Sequence, residues 1–243
     1  MPSISAVLPA FNEEANIGRT AMAVADVLER LGIDYEVIIV DDGSRDRTAQ
    51  VARELIEKNP RLRLVQHTVN QGYGSALASG FAAATKELVF MTDGDAQFDV
   101  SEITKLLPLL EDGDLAVGYR SPRRDPFMRK LNALGWNILG RLLFGYTARD
   151  VDCAFKLFRR SILDDVEVSS RGATFSLEFL VRAKRSGYRI REVPVKHLPR
   201  VAGKQTGARL DVILRAFREL IAFRRRLSEE EKISRWSEKP RAE

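Results

Sequence analysis

The sequence is poor in residues that bind metals through nitrogen or sulfur. Among 243 residues there are one cysteine and two histidines. Cys153 therefore has no partner for an internal disulfide, which favours a reducing compartment, and a typical structural zinc site is excluded. Neither a GxxxxGK[ST] phosphate-binding loop nor a GxSxG nucleophile elbow is present, and no evident nucleophile accompanies His67 or His197. We expect both histidines to be packing or surface residues.

Long apolar runs are also missing. No window of about 20 uncharged apolar residues occurs, so no membrane-spanning helix is expected, and the N-terminus lacks the pattern of a signal peptide. The net charge is +5, with arginine concentrated in residues 120–149 and 200–226. Such a basic excess suits a phosphorylated substrate, an anionic lipid surface or nucleic acid.

Strand-like and helix-like patterns alternate over the first 120 residues. The run EVIIV at 36–40 is typical of a fully buried strand, and helical stripes lie on either side of it. This alternation predicts an α/β fold with a mostly parallel sheet flanked by helices. Beyond it we predict an amphipathic helix over Phe127–Phe144 and a C-terminal amphipathic helix from Leu210 that ends in Arg224–Arg226. We expect a single domain over residues 1–226 and a flexible polar tail over 227–243.

Acidic residues follow two of the predicted strands. Asp41 and Asp42 come directly after EVIIV, and Asp93 and Asp95 come after LVFMT. Ligands of open parallel sheets bind outside the carboxyl ends of the strands. Carboxylates spaced by one residue can hold Mg²⁺, which would offset the charge of a diphosphate leaving group. The alternative is that Asp93 and Asp95 only stabilise a turn.

Several segments resemble the family 2 glycosyltransferases in order and spacing. They are PAFNEE at 9–14, DDGS at 41–44, NQGYG at 70–74, DGDAQ at 93–97, GYR at 118–120, DVDCAFK at 150–156, EVP at 192–194 and RVAG at 200–203. The likeness covers residues 4–224 and is similar to the polyprenyl-phosphate branch, which includes dolichyl-phosphate mannose and glucose synthases. Members commonly carry lysine where Tyr73 stands.

The resemblance implies a GT-A fold, a Rossmann-like nucleotide-sugar-binding fold, with residues 1–120 as the donor half and 121–226 as the acceptor half. It assigns nucleotide binding to six positions: Pro9, Phe11, Glu13, Asp42, Gly72 and Asp93. It assigns Mg²⁺ or Mn²⁺ to Asp95 and Gln97. These roles suit the residue types, because Phe11 offers a stacking face and carboxylates accept from base and ribose donors.

The acceptor side depends on cations. A lipid phosphate arrives deprotonated, so it needs positioning more than a base, and Arg120, Arg129 and Arg200 are the candidates. Arg129 could equally be an interfacial charge on its amphipathic helix. Asp150 or Asp152 would lie near the reacting centre, and the sequence leaves open which one.

The sequence thus predicts a metal-dependent enzyme that transfers a monosaccharide, with inversion, from a UDP- or GDP-sugar to polyprenyl phosphate. We expect a cytoplasmic protein held peripherally on the cytoplasmic face of the membrane by the 127–144 helix. Transfer to a glycan or small-molecule hydroxyl is one alternative, and it would need a general base. A non-catalytic nucleotide-sugar-binding membrane adaptor is another. Nucleic acid is not an expected partner, and the oligomeric state, including a homo-oligomer, is left open.

Overall fold

The computed structural model describes residues 2–122, 127–200 and 210–237. In the two helices that border the gaps, side chains are described for residues 131–144 and 214–232. The described chain folds around one seven-stranded sheet with the strand order β3-β2-β1-β4-β6-β5-β7. The strands are β1 Ile4–Ala10, β2 Tyr35–Asp41, β3 Leu62–Gln66, β4 Leu88–Met91, β5 Leu115–Arg120, β6 Lys156–Arg159 and β7 Ile190–Val195.

The sheet is mostly parallel, as predicted. The pairs β1–β2, β2–β3, β1–β4 and β5–β7 are parallel, whereas β6 runs antiparallel to both of its neighbours. All the strands except β6 therefore end at one edge of the sheet, and β6 begins there. The connections on the two sides of the β1–β4 pair run in opposite directions, which makes this pair the point where open α/β sheets form a binding crevice.

Helices cover the sheet. They are α1 Ile17–Arg30, α2 Thr48–Lys58, α3 Tyr73–Ala83, α4 Ile103–Leu106, α5 Phe127–Phe144, α6 Ile162–Asp165, α7 Phe175–Arg185 and α8 Leu210–Ser237. Their apolar faces pack on the sheet, and β1 and β2 are therefore buried along their whole length. Helix α3 lies especially close to the sheet: a Cβ added at Gly80 would stand 2.3 Å from Cγ1 of Val7. Only glycine permits that approach.

One helical segment is interrupted, and another is longer than predicted. The helical pattern of Ser101–Leu110, in which Pro108 predicts a disturbance, forms 3₁₀ turns at Val100–Glu102 and Leu107–Leu110 around the short α4. Pro108 lies in the second turn, where its ring and missing N–H disfavour a regular helix. The predicted end of α8 at Arg224–Arg226 is wrong, because the helix continues to Ser237 and Leu227 is buried. The wider division into a domain over 1–226 and a tail stays a prediction.

Helices α5 and α8 contact each other and expose apolar side chains. The rings of Trp136 and Phe217 meet edge to face at 6.0 Å, and those of Phe144 and Phe223 stack at 4.8 Å. Seven large apolar side chains are between 42% and 78% exposed: Leu131, Leu134, Ile138 and Leu142 on α5, and Leu214, Phe217 and Ile221 on α8. We call these seven residues the apolar patch. On α8, Leu220 and Phe223 are buried while Leu214, Phe217 and Ile221 are exposed, so the described part of this helix is only partly packed against the core.

Candidate active site

The predicted site segments meet at the edge where the parallel strands end. Residues 10–13 follow β1, 41–44 follow β2, 92–97 follow β4 and 195–200 close β7, while 150–155 lead into β6. This convergence follows from strand direction alone, since every parallel strand delivers its carboxyl end to the same edge. The candidate active site lies at this edge of the sheet.

Asp42 organises the start of α3. Its buried carboxylate accepts hydrogen bonds from the backbone N–H groups of Gln71 at 2.8 Å and Gly72 at 2.9 Å, and from Nδ2 of Asn70 at 2.8 Å. Gly72 has φ +102°, a conformation that favours glycine. Asp42 therefore fixes the loop that delivers Tyr73 to the site. Base recognition by Asp42 and nucleotide contact by Gly72 stay predictions.

His67 lies between Asp42 and a serine hydroxyl. Its Nδ1 is 2.7 Å from Oδ1 of Asp42, and its Nε2 is 2.9 Å from Oγ of Ser79. This serine was not evident from the sequence, because the placement of α3 brings Ser79 to His67 across 12 residues. The Asp42 carboxylate is shared with the 70–72 loop and the histidine side chain is 8% exposed. We interpret the array as a packed anchor between β2, β3 and α3.

Asp93 and Asp95 bring two carboxylates into a confined space after β4. The Tyr73 hydroxyl donates to Oδ1 of Asp93 at 3.0 Å, a contact that the sequence did not predict. Burial raises the pKa of Asp93, and the Tyr73 hydrogen bond opposes this shift. Burial, followed by the negative charge of Asp93, raises the pKa of Asp95 to about 7. Two carboxylates that both resist ionisation are typical of a site that receives a cation.

The turn after Asp95 is held in a conformation that side chains seldom adopt. Ala96 has φ +58°, in the left-handed region that non-glycine residues avoid. The N–H of Gln97 donates to Oδ1 of Asp95 at 3.1 Å, and Nε2 of Gln97 donates to the carbonyl of Leu198 at 3.2 Å. The turn is thus closed by the hydrogen bond between Gln97 and Asp95, and the Gln97 side chain ties it to the chain after β7.

Arg200 joins the candidate nucleotide and metal residues. Its Nη1 lies 3.1 Å from Oδ2 of Asp95, and its Nη2 contacts Oε1 of Glu13. The guanidinium is 13% exposed. Arg200 was expected on the acceptor side, and the structure places it beside both donor-side carboxylates. A phosphate group entering this crevice would therefore meet an arginine that is already oriented.

Arg120 and Asp150 form a buried bidentate ion pair. Nε and Nη2 of Arg120 each lie 2.7 Å from an Asp150 oxygen, and the side chains are 7% and 8% exposed. Burial alone would lower the pKa of Arg120, but hydrogen bonding to Asp150 outweighs it and raises that pKa. Asp150 thus has its carboxylate engaged by Arg120, and Asp152 is partly buried in the same segment. Which of the two aspartates faces the reacting centre stays a prediction.

Lys156 is a site residue that was not predicted from the sequence. Its side chain is fully buried at the start of β6, and its Nζ donates to the carbonyls of Val151, at 3.2 Å, and Cys153. Burial lowers the pKa of Lys156, and it raises the pKa of the neighbouring Cys153 thiol to about 12. The signal was present: a lysine opens a segment that otherwise has the apolar pattern of a core strand.

The remaining predicted residues lie at or near the crevice. Pro9 is buried near the end of β1, where its carbonyl accepts from the N–H of Gly94, and Phe11 is partly buried just beyond. Arg129 belongs to α5, but its side chain lies outside the described residues. The assigned roles of all these residues stay predictions.

The donor chemistry suits a hard divalent cation. Asp95 and the amide oxygen of Gln97 are oxygen ligands, and Mg²⁺ needs only one or two protein carboxylates when a substrate diphosphate supplies further oxygens. Within the described residues, no three histidine, cysteine or acidic side chains form a metal-ligating group. A cation here would therefore depend on the donor for much of its coordination.

Comparison with known proteins identifies the family. The model of glycosyl transferase family 2 matches residues 5–167, so the chain belongs to this family. It is 30% identical over 199 residues to a dolichol-phosphate mannosyltransferase of Pyrococcus furiosus, covering 79% of this chain and 55% of that protein. It is 33% identical over 204 residues to a dodecaprenyl-phosphate galacturonate synthase of Rhizobium johnstonii, covering 82% and 60%. The chain thus spans little more than half the length of these relatives, and the predicted likeness to the polyprenyl-phosphate branch is confirmed.

A solved structure confirms the fold. Glucosyl-3-phosphoglycerate synthase of Mycobacterium tuberculosis, solved with Mn²⁺, UDP-glucose and phosphoglyceric acid, superposes with a TM-score of 0.67 at 24% identity. The superposition covers 91% of this chain and 78% of that protein. The predicted GT-A architecture is therefore correct. At this identity the likeness concerns the fold and not the substrate.

Proposed function

We propose that the protein transfers a monosaccharide from a nucleotide-sugar to a polyprenyl phosphate, with inversion at the anomeric carbon. One observation carries the proposal: carboxylates suited to a cation, Asp93 and Asp95, share one sheet edge with two oriented arginines, Arg120 and Arg200. This arrangement matches a reaction between two phosphate-bearing substrates. The names of the polyprenyl-phosphate relatives support the choice of acceptor.

In the proposed reaction an oxygen of the acceptor phosphate attacks the anomeric carbon of the sugar. The bond from that carbon to the nucleoside diphosphate breaks, and the diphosphate leaves with the electron pair. No proton must be removed, because the phosphate oxygen is already anionic. Mg²⁺ or Mn²⁺ bound at Asp95 and Gln97 would offset the charge of the departing diphosphate. Asp93 would face the ribose and diphosphate, Arg200 beside Asp95 would meet the diphosphate, and Arg120 would orient the acceptor phosphate.

The test is a panel of UDP- and GDP-sugars incubated with Mg²⁺ or Mn²⁺ and undecaprenyl phosphate, with labelled sugar measured in the lipid phase. We expect label from one donor, and its loss in Asp95→Asn. Asp99→Asn is the matched control, since Asp99 lies four residues away and bonds Ser101 instead. Transfer only to a soluble hydroxyl acceptor would support the alternative enzyme, and tight donor binding without turnover would support an adaptor.

We also propose that the apolar patch rests on the membrane that holds the acceptor. Its seven exposed apolar side chains lie on two helices that contact each other, and exposed apolar surface of this kind marks an interaction site. Exposed arginines, Arg141, Arg215, Arg218 and Arg225, lie on the same two helices, which suits anionic headgroups. None of the helices in the described part of the chain combines the length and apolar character needed to cross a bilayer.

Vesicle flotation tests this contact. Replacing Leu134 and Ile138 together by glutamine should weaken binding to vesicles containing anionic phospholipid by at least about tenfold, because two apolar side chains no longer gain from burial. Val69→Gln is the control, since Val69 is 65% exposed but lies on the β3–α3 loop, away from the patch. Equal binding of the double variant and wild type would contradict the membrane proposal and leave the transfer proposal standing.

A further inference from the structure

Lys156 places a positive charge where the fold by itself would favour an apolar side chain. The residue opens β6, pairs with Met91 and Val117 on either side, and has no exposed surface. Burying an ammonium group is unfavourable unless hydrogen bonds and opposite charges compensate it. Apolar residues of similar volume often stabilise such positions better. The lysine therefore needs an explanation beyond packing.

The contacts of the ammonium group point to Asp152. Its two acceptors are the carbonyls of Val151 and Cys153, which are the residues immediately before and after Asp152. One side chain thus holds the backbone on both sides of the aspartate. Without Lys156 these two carbonyl groups would lose a hydrogen-bond donor close to the core, which is unfavourable.

The strand pairing places the Asp152 segment beside the donor carboxylates. Lys156 pairs with Met91 across antiparallel strands, so the residues that precede Lys156 lie beside those that follow Met91, among them Asp93, which accepts from the Tyr73 hydroxyl. Two residues before Asp152, Asp150 is fixed by Arg120. The 150–153 segment is therefore held by Arg120 through Asp150 and by Lys156 through the carbonyls of Val151 and Cys153, and Asp152 lies between these points along the chain.

We propose that Lys156 is a positioning residue for the transfer reaction, holding the 151–153 backbone so that the Asp152 carboxylate faces the reacting centre beside Tyr73 and Asp93. The consequence for catalysis rests on the proposed function. The structural part of the proposal, that Lys156 orders the 151–153 segment, does not depend on the proposed function. A displacement of about 1 Å in a catalytic group can cost about a hundredfold in rate, so the effect should be measurable.

The main experiment compares Lys156→Met with Leu157→Ala. Leu157 is the next residue of the same strand, is fully buried and points to the opposite face, so its truncation destabilises the fold without touching the 151–153 carbonyls. For Lys156→Met we expect kcat to fall about ten- to a hundredfold with the donor KM little changed. Leu157→Ala should keep a nearly normal kcat at a temperature where it is folded. Lys156→Arg, which retains buried N–H donors, should recover part of the lost kcat.

Hydrogen exchange provides a readout that needs no acceptor. The N–H of Cys153 donates to the carbonyl of Asp150 at 3.1 Å, so it should be protected in the wild type. Lys156→Met should speed exchange in peptides covering 151–154 more than Leu157→Ala does. Equal exchange in the two variants, or an equal fall in kcat, would overturn the positioning role. If wild type failed to label polyprenyl phosphate, the proposed function would fall, and the exchange result alone would decide whether Lys156 orders the segment.

Discussion

Replacing Asp150 by leucine should strongly destabilise the protein, because it leaves the Arg120 guanidinium buried without its bidentate carboxylate. The two side chains are 7% and 8% exposed and are joined by two hydrogen bonds of 2.7 Å. Breaking a buried pair of this kind from one side costs about 3–5 kcal/mol in the free energy of unfolding. Arg120→Met should cost a similar amount, because it leaves the aspartate as the uncompensated charge.

The double variant Arg120→Met/Asp150→Leu separates the pair from its surroundings. With both charges removed, the unfolding free energy should lie within about 2 kcal/mol of wild type, because no buried charge remains uncompensated. The double-mutant cycle should therefore give a coupling energy of at least about 4 kcal/mol between the two sites.

Urea unfolding followed by circular dichroism and tryptophan fluorescence measures all four proteins. Asp34→Asn serves as the surface control, since Asp34 is 63% exposed where it pairs with Lys86 and should contribute less than about 1 kcal/mol. If Asp150→Leu lost no more than this control, the pair would not be a buried anchor. The proposal that Asp152, and not Asp150, faces the reacting centre would then lose its support.

Two further predictions concern pH and packing. Asp95 has a folded pKa of about 7 against an ordinary 3.8, so the native state retains a proton that the unfolded chain releases, and stability should fall as pH rises from about 4 to 7. Asp95→Asn should reduce this fall, to which the raised pKa of Asp93 also contributes, and be more stable than wild type at pH 8, by up to about 4 kcal/mol. An unchanged urea midpoint at pH 8 would contradict the crowding of Asp93 and Asp95. Gly80→Ala should cost about 1–3 kcal/mol because its Cβ would meet Val7 at 2.3 Å. Gly135 is an exposed position of α5 where an added Cβ would meet nothing within 4 Å, so Gly135→Ala should instead stabilise the protein by about 0.5–1 kcal/mol in the same urea assay. Changes of the same sign in the two glycine variants would contradict this comparison.

Most of the fold was predictable from local patterns. The buried run at 36–40 forms the centre of β2, and the alternation of strands and helices produced the parallel sheet. The prediction failed where local patterns do not report on packing. The polar residues after Arg226 continue as helix because α8 is held through Leu227 and through the pair of Arg182 with Glu230, contacts that come from α7.

The sequence also located the candidate site, because acidic residues after parallel strands must meet at one edge. It did not predict the partners within the site. Arg200 bonds Asp95 from 105 positions away in sequence, and Ser79 approaches His67 through the placement of α3 on the sheet. Tyr73 departs from the lysine common at its position, and its bond to Asp93 became visible only in three dimensions.

The sequence by itself determined the order of strands and helices, the edge at which the motifs gather and the kind of chemistry that their residue types allow. These properties depend on hydrophobic period and strand direction, which are local. Only the tertiary structure decided that Asp150 is engaged by Arg120, that Tyr73 donates to Asp93 and that Lys156 holds the carbonyls on both sides of Asp152. Such choices depend on distances of a few ångströms between side chains from separate strands, and the spacing of residues along a chain carries no record of them.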